Sequence, residues 1–165
     1  KQEEFTEFLR ELSYSVTFTH KDLREIEASP LTVITHKASQ FETPVLVEDT
    51  SLHIEDEDIG IKIRWLLDKT TTLIGKQAIW TVLLGIRNYD KINIYQGKIH
   101  GKIVAPKGEG FGFDPFFQPE GSLQTLGEAK PKKYNARWHA LVAMKNKDLF
   151  TQLKTIENWS GKWQK

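Results

Sequence analysis

Hydrophobic positions near the front of the chain recur at helical spacing. Phe5, Phe8, Leu9 and Leu12 fall at i, i+3, i+4 and i+7, which predicts an amphipathic helix over residues 2–12. Ser15 to Thr19 then alternates apolar and polar side chains, the pattern of a short strand with one buried face. Ser29-Pro30 is a helix entry, with serine as N-cap and proline in the first helical position. The helix it opens runs through Ile34, Lys37, Ala38 and Phe41. Past Pro44, Val45-Leu46-Val47 reads as a strand buried on both faces.

Residues 61–69 carry a helical pattern with Trp65 and Leu66 inward. Ile79 to Arg87 is a long apolar run and predicts a central strand. Asn88 to Lys91 reads as a turn, and Ile92 to Val104 returns as a strand interrupted at Gly97 and Gly101. Residues 105–115 are rich in glycine and predict no regular element, whereas 134–145 and 148–157 show helical spacing. Helices and strands that alternate and then give way to a hairpin predict an α/β fold. The expected architecture is a mixed central sheet flanked by helices, in one domain over residues 1–165.

Composition removes several classes of function. The chain has no cysteine, so thiol catalysis, iron–sulfur clusters and thiolate zinc sites are excluded. Its 23 Lys and Arg against 22 Asp and Glu leave no basic excess, which argues against a nucleic-acid partner. No apolar run approaches the roughly 20 residues that span a bilayer, and the front of the chain turns amphipathic at once instead of forming a leader. A cytoplasmic protein is expected. Because the first residue is Lys1 and not Met, the natural chain is expected to continue upstream. His20, His36, His53, His100 and His139 show no zinc-binding spacing.

Two stretches could carry chemistry. Glu48-Asp49-Thr50 follows the buried strand, at the strand end where open α/β sheets bind ligands. Two carboxylates there can hold Mg²⁺, or one can hold it while the other takes a proton from water; the alternative is a solvated strand end with a capping Asp. In Gly108-Glu109-Gly110-Phe111-Gly112-Phe113-Asp114-Pro115, glycines let backbone N–H groups approach a phosphate or a base, and the two Phe rings could stack on a purine. A hairpin loop that packs its own aromatics explains the same residues. The acidic run Glu55 to Asp58 reads as a solvated loop, and the tail with Trp159 and Trp163 as one packed indole followed by a fraying end, with a partner-docking segment as the alternative.

The run Phe111 to Gly121, followed by Thr125 and Glu128, resembles the inosine triphosphate pyrophosphatase family. Pro44 to Leu52 is similar to the same family's acidic motif, and Gly101-Lys102-Ile103-Val104-Ala105-Pro106 to the strand before its glycine loop. The resemblance implies two lobes with a nucleotide cleft, and Mg²⁺-dependent attack of water on the α-phosphorus of abnormal purine nucleoside triphosphates (ITP, dITP, XTP). It implies catalytic roles for Asp49, also a metal ligand, and for Glu48 beside it, with Glu25 as a further metal ligand. Lys1, Lys37 and Arg64 would bind phosphates, and Phe111, Gly112, Phe113, Asp114, Lys132 and Arg137 would shape the base pocket. A homodimer is implied as well.

The chain departs from the family in three places. The family's first strand and its Thr-x-Asn-x-x-Lys motif would precede or include Lys1. Its Ser-His-Arg base motif is replaced by Asn135-Ala136-Arg137, which puts base preference in question. The segment after Leu52 is acidic where the family has Gly and Pro. A pyrophosphatase with a changed base preference, or a binding protein of the same fold without catalysis, are the alternative readings.

Overall fold

The computed structural model describes residues 2–57 and 70–164. The predicted helix over 61–69 and the candidates Lys1 and Arg64 lie outside the described residues. The chain forms two compact units, as the two implied lobes require. One takes residues 1–49, 83–96 and 140–165, and the other takes 50–82 and 97–139. Elements run in the order α1 (Gln2–Glu11), α2 (Pro30–Ser39), β1 (Leu46–Ile54), α3 (Thr70–Leu73), β2 (Gln77–Asn88), β3 (Lys91–Ile103), β4 (Phe117–Pro119), α4 (Ala136–Lys145) and β5 (Thr151–Lys154). The strands make one five-stranded sheet in the order β1-β2-β3-β4, with β5 also on β3. Mixed α/β architecture follows.

In the first unit, α1 buries Phe5, Phe8 and Leu9 and carries Glu3 and Glu4 in its first turn and Arg10 in its last, the charge order a helix dipole favours. The Thr32 N–H donates to Ser29 Oγ at 3.3 Å, so serine caps α2 as the sequence predicts. Helix α2 then presses Ile34 and Ala38 onto Val47, Leu83, Ile92 and Ile94. Gly85 makes that approach possible: a Cβ there would stand 3.0 Å from Ile34 Cγ1 and 3.3 Å from Val47 Cγ2. β5 pairs antiparallel with β3, Lys91 opposite Lys154 through Ile94 opposite Thr151.

In the second unit, β4 pairs antiparallel with the far end of β3, Gly101 opposite Pro119 through Ile103 opposite Phe117. Trp80, Phe113 and Phe117 form its aromatic core, with edge contacts at centroid distances of 5.7 and 5.9 Å.

Four expectations about elements are corrected. Ser15 to Thr19 is in no strand; the segment is mostly exposed and lines a groove of about 880 Å³ in the first unit. Residues 148–157 are no helix, because pairing with β3 makes a strand of Thr151–Lys154. β3 runs through Gly97 and Gly101 without a break. β1 does not stop at Val47 and is not buried on both faces: it continues to Ile54, with buried and half-buried residues alternating.

Candidate active site

Because β1 continues, Glu48 and Asp49 lie inside a strand, and consecutive strand side chains point to opposite faces. Val47 joins the core under α2 and Asp49 shares its parity; Leu46 and Glu48 line the groove instead. Glu48 therefore points its side chain away from the Asp49 face. Its contribution to the Asp49 face is its backbone carbonyl, which accepts a hydrogen bond from Lys37 Nζ at 3.2 Å.

Lys37 is the hub of the first cluster. From α2 its buried ammonium donates to Glu25 Oε1 at 2.6 Å and to Asp49 Oδ1 at 3.3 Å, as well as to that carbonyl. Three acceptors match the three ammonium protons. Burial alone would pull the Lys37 pKa down; the charges of Asp49 and Glu25 and their hydrogen bonds reverse this, and the pKa is raised.

Asp49 is the strained member of the set. Burial disfavours its charge, Lys37 opposes that effect, and the negative charges of Glu25 and Glu48 add to it, leaving a pKa of about 6. Its second oxygen, Oδ2, is buried and has no hydrogen-bond partner among the described residues. A buried carboxylate oxygen without a partner is costly unless a cation or a water completes it. Among the described residues no group of three His, Asp or Glu side chains is arranged around a common metal position. Glu25 and Asp49 nevertheless converge on one ammonium, and Mg²⁺ is commonly held by one or two carboxylates with substrate phosphates completing its shell. Glu25 and Asp49 are the residues that could hold such an ion.

The second unit holds the glycine-rich loop. Gly110 adopts φ 153° and packs against Asp114, where a Cβ would come within 2.7 Å of Asp114 Cβ. Gly112, at φ 63°, has open space around it. Asp114 is buried; Lys130 Nζ donates to both its oxygens at 3.1 and 3.0 Å, and the Phe111 N–H donates to Oδ2 at 3.2 Å. Thr125 and Glu128 secure the loop from behind: the Thr125 N–H donates to Glu128 Oε2 at 2.9 Å, and Thr125 Oγ1 donates to the Lys107 carbonyl at 2.7 Å.

The two phenylalanines part company here. Phe111 is 72% exposed, whereas Phe113 is 6% exposed and sits between Trp80 and Phe117. Phe113 is a core residue and offers no free face for stacking. Lys132 lies over the Trp138 ring at 4.4 Å. Lys130, two residues earlier, is the lysine that meets Asp114 and also stands 5.0 Å from the Trp80 ring centroid. Nothing in the spacing distinguishes Lys130 from Lys132 and Lys133; only the fold selects among them.

Arg137 is buried, 5.4 Å from the Trp80 ring centroid, and donates to Thr50 Oγ1 at 3.4 Å. Asn135 Oδ1 accepts from the backbone N–H groups of Arg137 and Trp138 and so caps α4. The residue standing where the family has serine thus has a structural duty. Trp80 is a further member of this set that the sequence does not single out.

Comparison with known proteins follows the same lines. The sequence profile of the Ham1 family matches residues 1–147. The dITP/XTP pyrophosphatase of Hyperthermus butylicus is 29% identical over 159 aligned residues, covering 84% of this chain and 83% of that protein. The inosine triphosphate pyrophosphatase of Batrachochytrium dendrobatidis is 31% identical over 156, covering 81% and 80%. Among solved structures, the Staphylococcus aureus Ham1 protein matches with a TM-score of 0.69 at 18% identity, over 87% of this chain and 90% of that one. The nucleoside-triphosphatase / dITP/XTP pyrophosphatase of Mycobacterium abscessus matches at 0.61 and 21%, over 87% and 91%. At those identities the structural likeness speaks for the fold alone. By the span of the family match, this chain belongs to the Ham1 family.

Proposed function

We propose that this protein hydrolyses purine nucleoside triphosphates such as ITP, dITP and XTP to the monophosphate and pyrophosphate. The observation that carries the reading is Asp49: a buried carboxylate with a pKa of about 6 and one oxygen without a hydrogen-bond partner among the described residues. The names of the relatives supply the substrate class. With no metal bound, a carboxylate of that basicity is suited to take a proton from water near neutral pH.

In this reading Asp49 accepts the proton as water attacks the α-phosphorus. Lys37 fixes the Asp49 carboxylate through Oδ1 and leaves Oδ2 available. Glu25 and Asp49 would hold Mg²⁺, which when bound screens the triphosphate's negative charge and polarises the reacting phosphoryl group. Phe111, exposed on its glycine loop, offers a face to a base, and Arg137 and Lys130 supply donors suited to a 6-keto oxygen. The same reading takes the protein as a cytoplasmic homodimer.

The test is release of pyrophosphate against release of phosphate, with Mg²⁺, from ITP, XTP, GTP, ATP and UTP at one concentration. Pyrophosphate released from ITP or XTP at least about tenfold faster than from ATP supports the reading, since a site built on such hydrogen bonds can discriminate by far more. Phosphate as the product, or no release together with a nucleotide-dependent rise in melting temperature, would overturn it in favour of a different hydrolysis or of binding alone.

A further inference from the structure

Residues 148–165 lie beyond the family match, yet the described part of this tail reaches two of the three segments that carry the Lys37 cluster, α2 and the stretch holding Glu25. After β5, the Thr155 N–H donates to the Asp90 carbonyl at 3.0 Å. The Ile156 N–H donates to Ser39 Oγ at 2.9 Å, on the last residue of α2. Glu157 pairs with Arg87 at 2.8 Å, and the same guanidinium donates to the Ser39 carbonyl at 3.0 Å. Trp159 and Trp163 then meet the His36 ring edge-on at centroid distances of 6.5 and 5.5 Å, one residue before Lys37.

The tail ends on the segment that carries Glu25. The Glu27 N–H donates to the Lys162 carbonyl and the Gln164 N–H to the Glu25 carbonyl, each at 2.9 Å. These bonds make an antiparallel bridge with Ile26 opposite Trp163, and Ile26 is fully buried. Gln164 Nε2 adds a bond to the Ile26 carbonyl at 3.0 Å, and the Arg24 guanidinium lies 4.7 Å over the Trp163 ring. Residues 14–25 belong to no helix or strand, so their own backbone pattern does not fix Glu25. The bridge supplies what that pattern lacks.

We propose that residues 159–164 are a brace that sets Glu25 against Lys37 and Asp49, with Trp163 and Gln164 as positioning residues. The inference rests on the proposed role of the Lys37 cluster. The brace touches no reacting group; it acts through Glu25, by holding one short segment against α2. Partners that orient a metal-binding side chain are typically worth about 10- to 100-fold in metal affinity.

The test compares the full chain with a chain ending at Asn158, with Trp163→Ala and with Trp163→Phe. Two quantities are read: the Mg²⁺ concentration giving half-maximal pyrophosphate release, and hydrogen exchange of the peptide spanning residues 22–28. Truncation and Trp163→Ala should each raise the half-saturating Mg²⁺ about tenfold or more, leave KM for nucleotide at saturating Mg²⁺ within about threefold, and speed exchange at the Glu27 amide. Trp163→Phe, which keeps an aromatic edge, should restore both. In a Glu25→Gln background the truncation should add nothing to the Mg²⁺ shift, because both changes act on one carboxylate. A truncation effect of equal size in that background, or unchanged exchange at Glu27, overturns the brace. If the full chain releases no pyrophosphate, the functional reading fails separately, and Mg²⁺-dependent protection of the same peptide decides the brace: lost on truncation it stands, unchanged it falls.

Discussion

Two buried aspartates, one in each unit, have opposite circumstances. Asp114 has both oxygens engaged by Lys130 and a further N–H from Phe111. Asp49 has one oxygen on a lysine shared with Glu25 and another with no hydrogen-bond partner among the described residues. A satisfied carboxylate holds a loop in shape. An unsatisfied one, with its charge made costly by burial and by neighbouring acids, is stabilised by binding a cation or a proton. In the proposed reading, chemistry therefore belongs to the Lys37 cluster and loop shaping to the Asp114 cluster.

The sharpest way to break that division is to neutralise Asp49. Asp49→Asn should lower turnover by roughly 10²- to 10⁴-fold, the range for loss of a positioned proton acceptor. It should melt no lower than the parent at pH 8. The sign follows from linkage: a carboxyl raised from 3.8 to about 6 on folding favours the folded state when protonated, so its support is complete below 3.8 and is lost as pH rises through about 6. Asn carries no such loss. A variant that keeps full turnover would remove Asp49 from the mechanism.

Lys37→Met probes the same cluster through stability. It leaves the buried Asp49 without its counter-charge, a change that costs about 3–5 kcal/mol when the partner stays ionised. Thermal melts should show the deficit in full at pH 8 and a smaller one at pH 5, where Asp49 takes a proton. An equal deficit at both pH values would mean that Asp49 is not the group left exposed to the loss. Lys130→Met should have the smallest effect on turnover. It loosens the Phe111 loop, so KM should rise several-fold while kcat stays within about threefold, the pattern of lost binding rather than lost transition-state stabilisation. A fall in kcat as large as that of Asp49→Asn would erase the distinction between the two aspartates.

The sequence displays much of this. The amphipathic front of α1, the Ser29-Pro30 cap and the β2–β3 hairpin are each local patterns, and each stands in the structure as read. The errors share a physical origin. In β1 the buried set runs Val47, Asp49, Ser51 and then shifts phase to Leu52 and Ile54; in β3 it runs Ile92, Ile94 and then Ile99, Ile103. In β1 the charged pair Glu48-Asp49, ahead of the phase change, looks like an end, and in β3 Gly97 and Gly101 look like breaks; in both strands pairing overrides the local signal. Leu149, Phe150 and Leu153 imitate a helical stripe, but pairing with β3 decides β5. Ser15 to Thr19 has the alternation of a strand without a strand partner among the described residues.

Site residues divide in the same way. Asp49, Glu25, Lys37, Asp114 and Arg137 are nameable from motifs, and the structure brings Glu25, Lys37 and Asp49 together in the first unit. Glu48 points to the strand face opposite Asp49, Phe113 is packed in the aromatic core, and Lys132 lies over the Trp138 ring while Lys130 meets Asp114. The tail's role was illegible for another reason: its contacts with Glu25 are backbone bonds across more than a hundred residues, and no side-chain pattern announces them.

The most direct test of the central claim is hydrolysis in ¹⁸O-labelled water under single-turnover conditions with Mg²⁺. Attack on the α-phosphorus predicts that the label enters the nucleoside monophosphate and that pyrophosphate leaves unlabelled. Label in pyrophosphate would place the attack on the β-phosphorus, label in free phosphate would place it on the γ-phosphorus, and either would contradict the mechanism assigned to Asp49.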